Sequence, residues 1–379
     1  MSPSQALVRA ATKVGPGRTE VREYPMPELG IDDGLLRVAA TGVCGADVKW
    51  YREADVTPRI LGHEIVGWIE AISPGAQRRW GVSEGDLVAL EEYLSCGHCE
   101  WCRAGEYRHC WAADPTASAN RRFGGTPVTV PPFLWGGYAE MVYLPANAVL
   151  HPVPAGIAPA RAAYALPLGN GFQWTYLDGR VGPGASVLIE GPGQQGLGCL
   201  IAAREAGAHL VIVSGTGADL SRLEIARALG AKTVDVDQED LGAAVLELTG
   251  GLGVDVAVDT SGGSAATALA ALRALKRKEG VAVLQPAEIP SFPLDLIDRK
   301  AITVRMTRGH SFRAVNMALE LLGTERYPFE VLNTHTFDLD SVDQAIRTAG
   351  GRELGPSLHV VVAPVATATK LAPDGQPSA

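Results

Sequence analysis

Four cysteines lie within a fifteen-residue segment of this 379-residue chain. Their spacing is C-x2-C-x2-C-x7-C, over Cys96, Cys99, Cys102 and Cys110. Four thiolates at loop spacing suit a closed tetrahedral zinc site with a structural role. The intervening residues are polar or turn-forming, so zinc would supply the folding energy of this segment. An iron–sulfur cluster is the alternative, because such clusters also use four cysteines.

A second set of candidate metal ligands is divided between two loops. Cys44 follows an apolar stretch, and His63 and Glu64 stand side by side after Gly62. A cysteine, a histidine and a carboxylate fit a catalytic zinc with an open coordination position. Such a zinc would polarise an alcohol or carbonyl oxygen. Taken alone, however, one cysteine and one histidine are more typical of a buried thiol and a hydrogen-bonded core histidine.

The segment 191–196 reads GPGQQG and fits the pattern G-x-G-x-x-G. It follows a predicted strand and opens a predicted helix, which is the context that gives this pattern its meaning. The first glycine permits a tight turn, the second lets the backbone approach a pyrophosphate, and the third lets the helix pack on the strand. The alternative is a glycine-rich turn without a ligand. The predicted cofactor contacts in this turn are Gly191, Gly193, Gln194, Gln195 and Gly196.

The end of the next predicted strand bears on the choice of cofactor. A carboxylate usually stands there, about 20 residues after the glycines, when an enzyme reads a free ribose hydroxyl. This chain has Gly215 and Thr216 instead, and its first acid, Asp219, comes slightly late. Arg222 could pair with a phosphate on that ribose, although it could equally be a solvated helix residue. We therefore expect NAD(P), with a preference for NADP over NAD.

The elements around the glycine-rich turn alternate between short apolar strands and helices. This alternation predicts an α/β unit with a doubly wound parallel sheet, the Rossmann arrangement. The predicted strands cover 187–189, 210–213, 233–236, 254–258 and 281–284, and the predicted helices cover 195–206, 220–229, 241–248 and 265–275.

The first part of the chain has a different texture, with short β-rich runs broken by Gly and Pro. Runs at 65–69, 86–90 and 137–143 predict a compact, mostly β domain. A long connection, 114–135, is either functional or poorly ordered. The last apolar run, 357–362, predicts a strand that returns to this first domain.

The length of the chain exceeds one comfortable core, which predicts more than one domain. We expect a catalytic domain over 1–165 that contains the cysteine segment, a cofactor domain over 166–305, a return to the catalytic domain over 306–363, and a flexible tail over 364–379.

In this order, the motifs resemble the zinc-containing medium-chain dehydrogenases, which include alcohol, sorbitol and threonine dehydrogenases. The resemblance covers nearly the whole chain. Its most specific elements are GVCGAD at 42–47, GHEIVG at 62–67, GDLV at 85–88, the four cysteines and the glycine-rich turn.

The resemblance implies a GroES-like catalytic domain split by the cofactor domain, with hydride transfer in the cleft between them. It also implies that Cys44 and His63 are catalytic zinc ligands, and that Glu64 is a ligand or swings in as one. Asp47 would orient His63 through a hydrogen bond. Each chain would thus hold two zinc ions, one structural and one catalytic.

Three positions depart from the family pattern. The residue that usually passes the alcohol proton onward is a Ser or Thr, and here it is Ala46. Lys49 stands where a His commonly ends that relay. The usual anionic fourth ligand is replaced by Leu166 or Asn170. The proton would then travel through water or Lys49, and either water or the Asn170 amide oxygen would complete the zinc site.

These observations favour a zinc-dependent NAD(P) alcohol dehydrogenase or carbonyl reductase. A reductase of C=C or C=N bonds is the second hypothesis, because such chemistry needs no alcohol proton relay. A cofactor-binding protein with a decayed active site is the third. Aromatic residues suggest an apolar or aromatic substrate; these are Trp50, Phe123, Phe133, Trp135 and Phe172.

The overall charge of −9 disfavours nucleic acid and anionic membranes as partners. No apolar run is long enough to span a bilayer, and the N-terminus lacks the features of a secretory signal. We therefore expect a cytoplasmic protein. The family implies a homodimer or homotetramer, in which strands near 282–285 and 302–306 could extend a sheet across a twofold axis.

Overall fold

A computed structural model describes residues 6–114, 116–117, 121–351 and 353–364. The predicted tail, 364–379, therefore lies outside the described residues except for Pro364. The strands are β1 (Leu7–Gly15), β2 (Arg18–Pro25), β3 (Gly34–Gly42), β4 (Arg59–Ile60), β5 (Glu64–Ile72), β6 (Leu87–Leu90), β7 (Met141–Leu144), β8 (Leu150–Pro152), β9 (Ser186–Glu190), β10 (Leu210–Gly215), β11 (Lys232–Asp235), β12 (Val256–Asp259), β13 (Val281–Leu284), β14 (Thr303–Met306), β15 (Asn333–Phe337) and β16 (His359–Val362).

Helices connect and cover these strands. They are α1 (Gly45–Arg52), α2 (Pro74–Trp80), α3 (Glu100–Arg103), α4 (Pro159–Ala162), α5 (Ala165–Gly171), α6 (Gln194–Glu205), α7 (Leu220–Ala228), α8 (Leu241–Leu248), α9 (Ala265–Ala274), α10 (Leu294–Lys300), α11 (Phe312–Leu322) and α12 (Val342–Ala349). Short 3-10 turns cover Tyr107–His109, Trp111–Ala113, Gly217–Asp219, Phe329–Val331 and Leu339–Ser341, and a π-helical stretch covers Phe172–Asp178.

Six strands form a parallel sheet in the order β11-β10-β9-β12-β13-β14. Strands β9, β12 and β13 are buried along their whole length, as expected where helices cover both faces of a parallel sheet. The strand order reverses at β9, so a crevice lies at the carboxyl ends of β9 and its neighbours. The predicted doubly wound Rossmann sheet is confirmed.

A second sheet is built largely from the first part of the chain, in the order β15-β16-β3-β5-β6-β8 with β7 paired to β3. Its core includes Leu36, Ile65 and Val88. Strand β16 pairs antiparallel with β3, so the end of the described chain joins the strands from its beginning. The mostly β unit is confirmed, whereas the domain boundaries stay predictions.

One predicted strand, 137–143, begins later than expected, at Met141. At Gly137 and Tyr138 the backbone bonds the backbone of segments other than β3: the Gly137 N–H donates to the Gly62 carbonyl oxygen at 2.9 Å, and the Tyr138 carbonyl oxygen accepts from the Ala11 N–H at 2.8 Å. A Cβ at Gly136 would lie 2.1 Å from the Ile60 carbonyl oxygen, and one at Gly137 would lie 2.5 Å from Thr41 Oγ1. This close passage brings the segment against the loop that contains His63.

Helices α5 and α6 cross at two glycines. A Cβ at Gly171 would lie 2.3 Å from the carbonyl carbon of Gly198, so only glycine allows this approach. The crossing sets Asn170, near the end of α5, beside Gln195 at the start of α6, with 3.1 Å between Asn170 Nδ2 and Gln195 Oε1. Sequence elements far apart in the chain are thereby joined at the crevice.

Candidate metal and cofactor cleft

A buried carboxylate, Asp47, joins the two loops that carry the candidate catalytic ligands. Its Oδ2 accepts a hydrogen bond from the Cys44 backbone N–H at 2.9 Å, and its Oδ1 accepts one from the Gly62 N–H at 3.0 Å. Oδ1 also lies 3.4 Å from His63 Nδ1. Gly62 has a φ of 86°, and a Cβ there would lie 2.7 Å from the Tyr138 ring. His63 Nδ1 thus faces the Asp47 carboxylate without a hydrogen-bond partner among the described residues, and Nε2 is the ring nitrogen on the opposite side.

The candidate catalytic ligands form a compact set. Ligand atoms of Cys44, His63 and Glu64 all lie within 4.8 Å of one another. Glu64 Oε1 accepts a hydrogen bond from Gln194 Nε2 at 3.1 Å, while Glu64 Oε2 is buried without a hydrogen-bond partner among the described residues. A thiol, an imidazole and a carboxylate with an unsatisfied oxygen fit zinc.

The electrostatics of this set also favour a bound cation. Burial raises the pKa of the Cys44 thiol and raises that of Glu64 to about 8, so a negative charge on either group needs a neighbouring cation. Burial lowers the pKa of His63, but the nearby carboxylates of Asp47 and Glu92 outweigh it and raise that pKa well above its ordinary value. The carboxylates thus stabilise positive charge at the position where a metal would bind.

The four-cysteine segment forms the second candidate metal site. The four sulfurs lie within 4.8 Å of one another, and all four cysteines are free thiols. Helix α3 and two glycines with positive φ, Gly97 and Gly105, shape the segment. Its ligands are Cys96, Cys99, Cys102 and Cys110, of which Cys110 alone is fully buried.

A cavity of about 540 Å³ adjoins the catalytic set. One part of its wall is formed by Cys44 and His63, and another by Gly193 in the glycine-rich turn. The candidate ligands and the predicted cofactor turn therefore share one cleft. Other predicted site residues that line it are Lys49, Asn170, Gln194, Gln195 and Arg222, together with Ala46.

The glycine-rich turn has the geometry expected for a bound dinucleotide. Gly191 has a φ of 98°, and a Cβ at Gly196 would lie 1.9 Å from the Gly191 carbonyl oxygen. At Gly193, in contrast, a Cβ would meet nothing within 4 Å, so open space faces this backbone. Helix α6 begins directly afterwards, and no side chain caps its N-terminus. Its free N–H groups can receive phosphate oxygens.

A second cavity of about 260 Å³ continues from this turn past the end of β10. Gly215, Thr216 and Arg222 line it. Asp219 accepts hydrogen bonds from Thr216, and its other oxygen lies 3.2 Å from Arg222 Nη1. The guanidinium is also fixed by a bond from Nε to the Ser357 carbonyl oxygen at 2.8 Å. Arg222 is thus neither a solvated helix residue nor a free cation.

The carboxyl group of Glu190 lines the same second cavity. It is 3% exposed, and its Oε2 has no hydrogen-bond partner among the described residues. Burial, together with the charge of Asp259, raises the pKa of Glu190 to about 9. Burial thus disfavours a negative charge on Glu190 beside the position where an anionic cofactor would bind.

The two glutamines of the turn face the catalytic part of the cleft. Gln194 bonds Glu64, as described above, and Gln195 Oε1 accepts a hydrogen bond from Asn170. Asn170 Oδ1 in turn lies 2.9 Å from Nδ1 of His310. The amide oxygen of Asn170, which the sequence offered as a zinc ligand, thus already has His310 as a partner. We therefore expect water rather than Asn170 in the remaining coordination position of the zinc.

His310 belongs to a buried network that the sequence did not reveal. Its Nε2 lies 2.8 Å from Glu91 Oε2, which also accepts a hydrogen bond from the Tyr107 hydroxyl at 2.5 Å. Tyr107 lies between two of the clustered cysteines, so the network joins the cysteine segment to the cleft. No local pattern marks these residues, because they are separated by up to 219 positions.

A second unforeseen feature of the cleft is an ion pair between Glu92 and Arg122. Arg122 Nη2 donates to Glu92 Oε2, and both residues line the cavity. Burial opposes ionisation of Glu92, but the charges of Arg122 and His63 outweigh it and lower its pKa to about 2. The available sequence signal was a pair of adjacent acids, Glu91 and Glu92, directly after the predicted β-rich run 86–90.

The aromatic residues expected to shape the substrate pocket lie mostly elsewhere. Phe123, Trp135 and Phe172 are buried in hydrophobic cores. Trp50 packs beneath the Arg122 guanidinium, whose Cζ lies 4.6 Å from the centre of the Trp50 ring. Among the described lining residues, the aromatic side chains are Trp174 and Tyr93. The expected apolar or aromatic substrate thus loses most of its support.

Comparison with known proteins agrees with this geometry. Residues 30–155 match the alcohol dehydrogenase GroES-like domain, and residues 196–324 match the zinc-binding dehydrogenase domain. A probable alcohol dehydrogenase of Mycobacterium tuberculosis is 40% identical over 372 residues, covering 95% of this chain and 99% of that protein. The chain belongs to the zinc-containing medium-chain dehydrogenase family. It is an alcohol-dehydrogenase-like oxidoreductase, as the motifs predicted.

Two further members of the family are similar to this chain, one in sequence and one in structure. An L-threonine 3-dehydrogenase of Pyrococcus horikoshii is 32% identical over 86% of this chain and 90% of its own length. The structure of alcohol dehydrogenase TADH from Thermus sp. ATN1 has a TM-score of 0.80 and 28% identity, covering 94% of this chain and all of that one. Membership implies zinc, NAD(P) and a small-molecule substrate. No helix among the described residues is long and apolar enough to cross a membrane.

Proposed function

We propose that the protein is a zinc-dependent NAD(P) alcohol dehydrogenase or carbonyl reductase. The observation that carries this proposal is the shared cleft, whose wall includes both Cys44 and His63 and the Gly193 backbone. Hydride transfer requires the reacting carbon and the nicotinamide to meet in one site. The position of Gln194 supports the same arrangement, because its backbone belongs to the cofactor turn and its amide bonds Glu64.

The residues assigned to the catalytic zinc are Cys44, His63 and Glu64. Zinc held there would supply Lewis-acid polarisation of a substrate oxygen. Asp47 fixes the orientation of His63, and the four cysteines hold a second, structural zinc that takes no part in the reaction. We assign the alcohol proton to water in the cleft and to Lys49, because Ala46 has no hydroxyl to carry it.

We assign NADP as the preferred cofactor. Support comes from Arg222, which lines the second cavity at the end of β10, where no carboxylate stands on the strand itself. Arg222 enters this cavity paired with Asp219, so a phosphate on the ribose would share the guanidinium with that carboxylate. Binding titrations with NAD and NADP would decide the preference.

The lining of the cleft favours a small polar alcohol over an apolar one. Lys49, Glu92 and Arg122 place charges around the catalytic set, and burying an apolar substrate against them would leave those charges without solvent. One relative is named a dehydrogenase of threonine, an alcohol with polar neighbours of its hydroxyl group.

A second candidate function is the reduction of a conjugated C=C or C=N bond. Ala46 favours it, because a missing relay hydroxyl matters least where no alcohol proton is exchanged. The zinc would then take no part in the chemistry.

The cytoplasmic location stays a prediction. We also propose a homo-oligomer, in which β14, the edge strand of the parallel sheet, pairs across a twofold axis.

The experiment that tests the proposed function combines a metal count with an assay. We expect two zinc ions per purified chain and oxidation of polar alcohols, followed by nicotinamide absorbance. One zinc per chain with reduction of enones or imines would instead support the second candidate. One zinc with cofactor binding but no turnover would support a decayed enzyme.

A further inference from the structure

The Glu92–Arg122 ion pair is held in place from several directions. Glu92 follows β6, and its carbonyl oxygen accepts a hydrogen bond from the Phe123 N–H at 3.0 Å. Tyr93 and Arg122 form a β-bridge, so the two segments are also joined through their backbones. The Arg122 guanidinium lies over the Trp50 ring, which in turn packs 5.8 Å from the His63 ring. The pair therefore has little freedom to move away from the catalytic set.

The distance between the pair and the candidate metal site is short. Glu92 Oε2 lies 4.0 Å from His63 Nε2, the ring nitrogen that faces away from Asp47. Both residues of the pair line the cleft together with Cys44. A substrate whose reacting oxygen is held at this set would thus bring the substituent of its reacting carbon against the pair.

The chemistry of the pair selects among such substituents. Glu92 offers a hydrogen-bond acceptor, and Arg122 offers donors, including a buried Nε without a hydrogen-bond partner among the described residues. A hydroxyl group can donate to the first and accept from the second. A methyl group would leave both charges desolvated, and a carboxylate would be repelled by Glu92.

We propose that the Glu92–Arg122 pair determines substrate specificity by binding a hydroxyl group on the carbon next to the reacting carbinol. This inference rests on the proposed function and assigns its substrate class as vicinal diols. The pair would contact the second hydroxyl group of the diol, whereas the hydride leaves from the carbon that bears the first. Sequence reasoning gave neither residue a role.

The test uses three alcohols that share one reacting group and differ in one substituent. Isopropanol, propylene glycol and lactate carry a methyl, a hydroxymethyl and a carboxylate group on the same kind of carbinol. We expect the full-length protein to show a kcat/KM for propylene glycol about 10- to 100-fold above that for isopropanol, the range of one hydrogen bond to a charged group. Lactate should be the poorest substrate.

The variant that removes the pair, Glu92→Leu with Arg122→Leu, should lower kcat/KM for propylene glycol more than kcat/KM for isopropanol, so that the preference is lost. Loss of the Glu92 charge beside His63 would weaken zinc binding and lower both rates alike. Because damage to the fold would lower both rates, the ratio of the two separates recognition from stability. Glu92→Gln, which keeps the shape, should lose part of the preference, and the exposed Glu84→Gln should keep all of it.

Two results would overturn different claims. A wild-type protein that oxidises isopropanol or lactate as well as propylene glycol, or a double variant with an unchanged ratio, overturns the role of the pair and leaves the dehydrogenase assignment intact. If the wild type oxidises none of the three while it reduces an enone or an imine, the proposed function itself fails.

Discussion

The two candidate metal sites of this protein are built in opposite ways. The four cysteines come from one fifteen-residue segment, three of them are partly exposed, and helix α3 with its flanking turns brings them together. Cys44 and His63 come from separate loops, and the buried Asp47 carboxylate joins those loops. A local, closed set of thiolates stabilises a segment, whereas a set assembled across the fold can leave one side open to a cleft.

This difference predicts which property each site controls. Loss of a ligand in the cleft should lower the reaction rate and leave the stability of the fold unchanged. Loss of a ligand in the cysteine segment should lower the stability and leave the reaction rate per folded molecule nearly unchanged. The buried network through His310, Glu91 and Tyr107 connects the two regions, and it is the path by which a change in one site could affect the other. The following variants test how independent the two sites are.

The largest effect is expected from Cys44→Ser. Removal of this thiolate should lower kcat/KM by about a thousandfold, because metal polarisation contributes several kcal/mol to the transition state. The zinc content should fall from two ions to one, measured by mass spectrometry, and the thermal midpoint should change little. If the variant instead unfolds while its folded fraction stays active, the roles of the two sites are reversed.

The counterpart in the cysteine segment is Cys102→Ser. We expect the free energy of unfolding to fall by about 3 kcal/mol, because bound zinc supplies much of the folding energy of such a segment. Turnover per folded molecule should stay within about tenfold of the wild type. Denaturant titration and active-site counting measure the two quantities. A loss of turnover without a loss of stability would argue that the network through Tyr107 controls the cleft.

A smaller effect is expected from Asp47→Asn. This change keeps the shape of the side chain but removes the charge that orients His63, and such changes typically weaken metal binding by about 10- to 100-fold. Competition with a chelator should therefore remove one zinc ion more rapidly and leave the other unaffected. Equal loss of both ions would indicate general unfolding and contradict the separate roles.

The smallest effect is expected from Lys49→Met. If Lys49 and water share the alcohol proton, turnover should fall by about tenfold and its dependence on pH should change, since water can replace only part of the role. Zinc content and stability should not change. Turnover measured against pH checks this, and an unchanged profile would remove Lys49 from the mechanism.

Much of the fold could be predicted from local patterns. The alternation of strands and helices predicted five of the six strands in the parallel sheet close to their observed bounds, because each was a short apolar run between turn residues. The sixth, β14, was expected near 302–306. The strand at 137–143 was placed too early, because Gly137 and Tyr138 bond the distant loop at 61–62 and strand β1 instead of continuing the pairing with β3. Such contacts leave no periodic signal in the chain.

The sequence by itself determined the cysteine segment and the cofactor turn, since in both the necessary residues are close neighbours and local backbone geometry brings them together. It also determined the candidate ligands Cys44, His63 and Glu64 as residue types in recognisable motifs. Only the tertiary structure decided what surrounds them. Glu92 and Arg122 face each other across 30 positions, and Asn170 meets His310 across 140, because packed elements rather than chain neighbours set those distances.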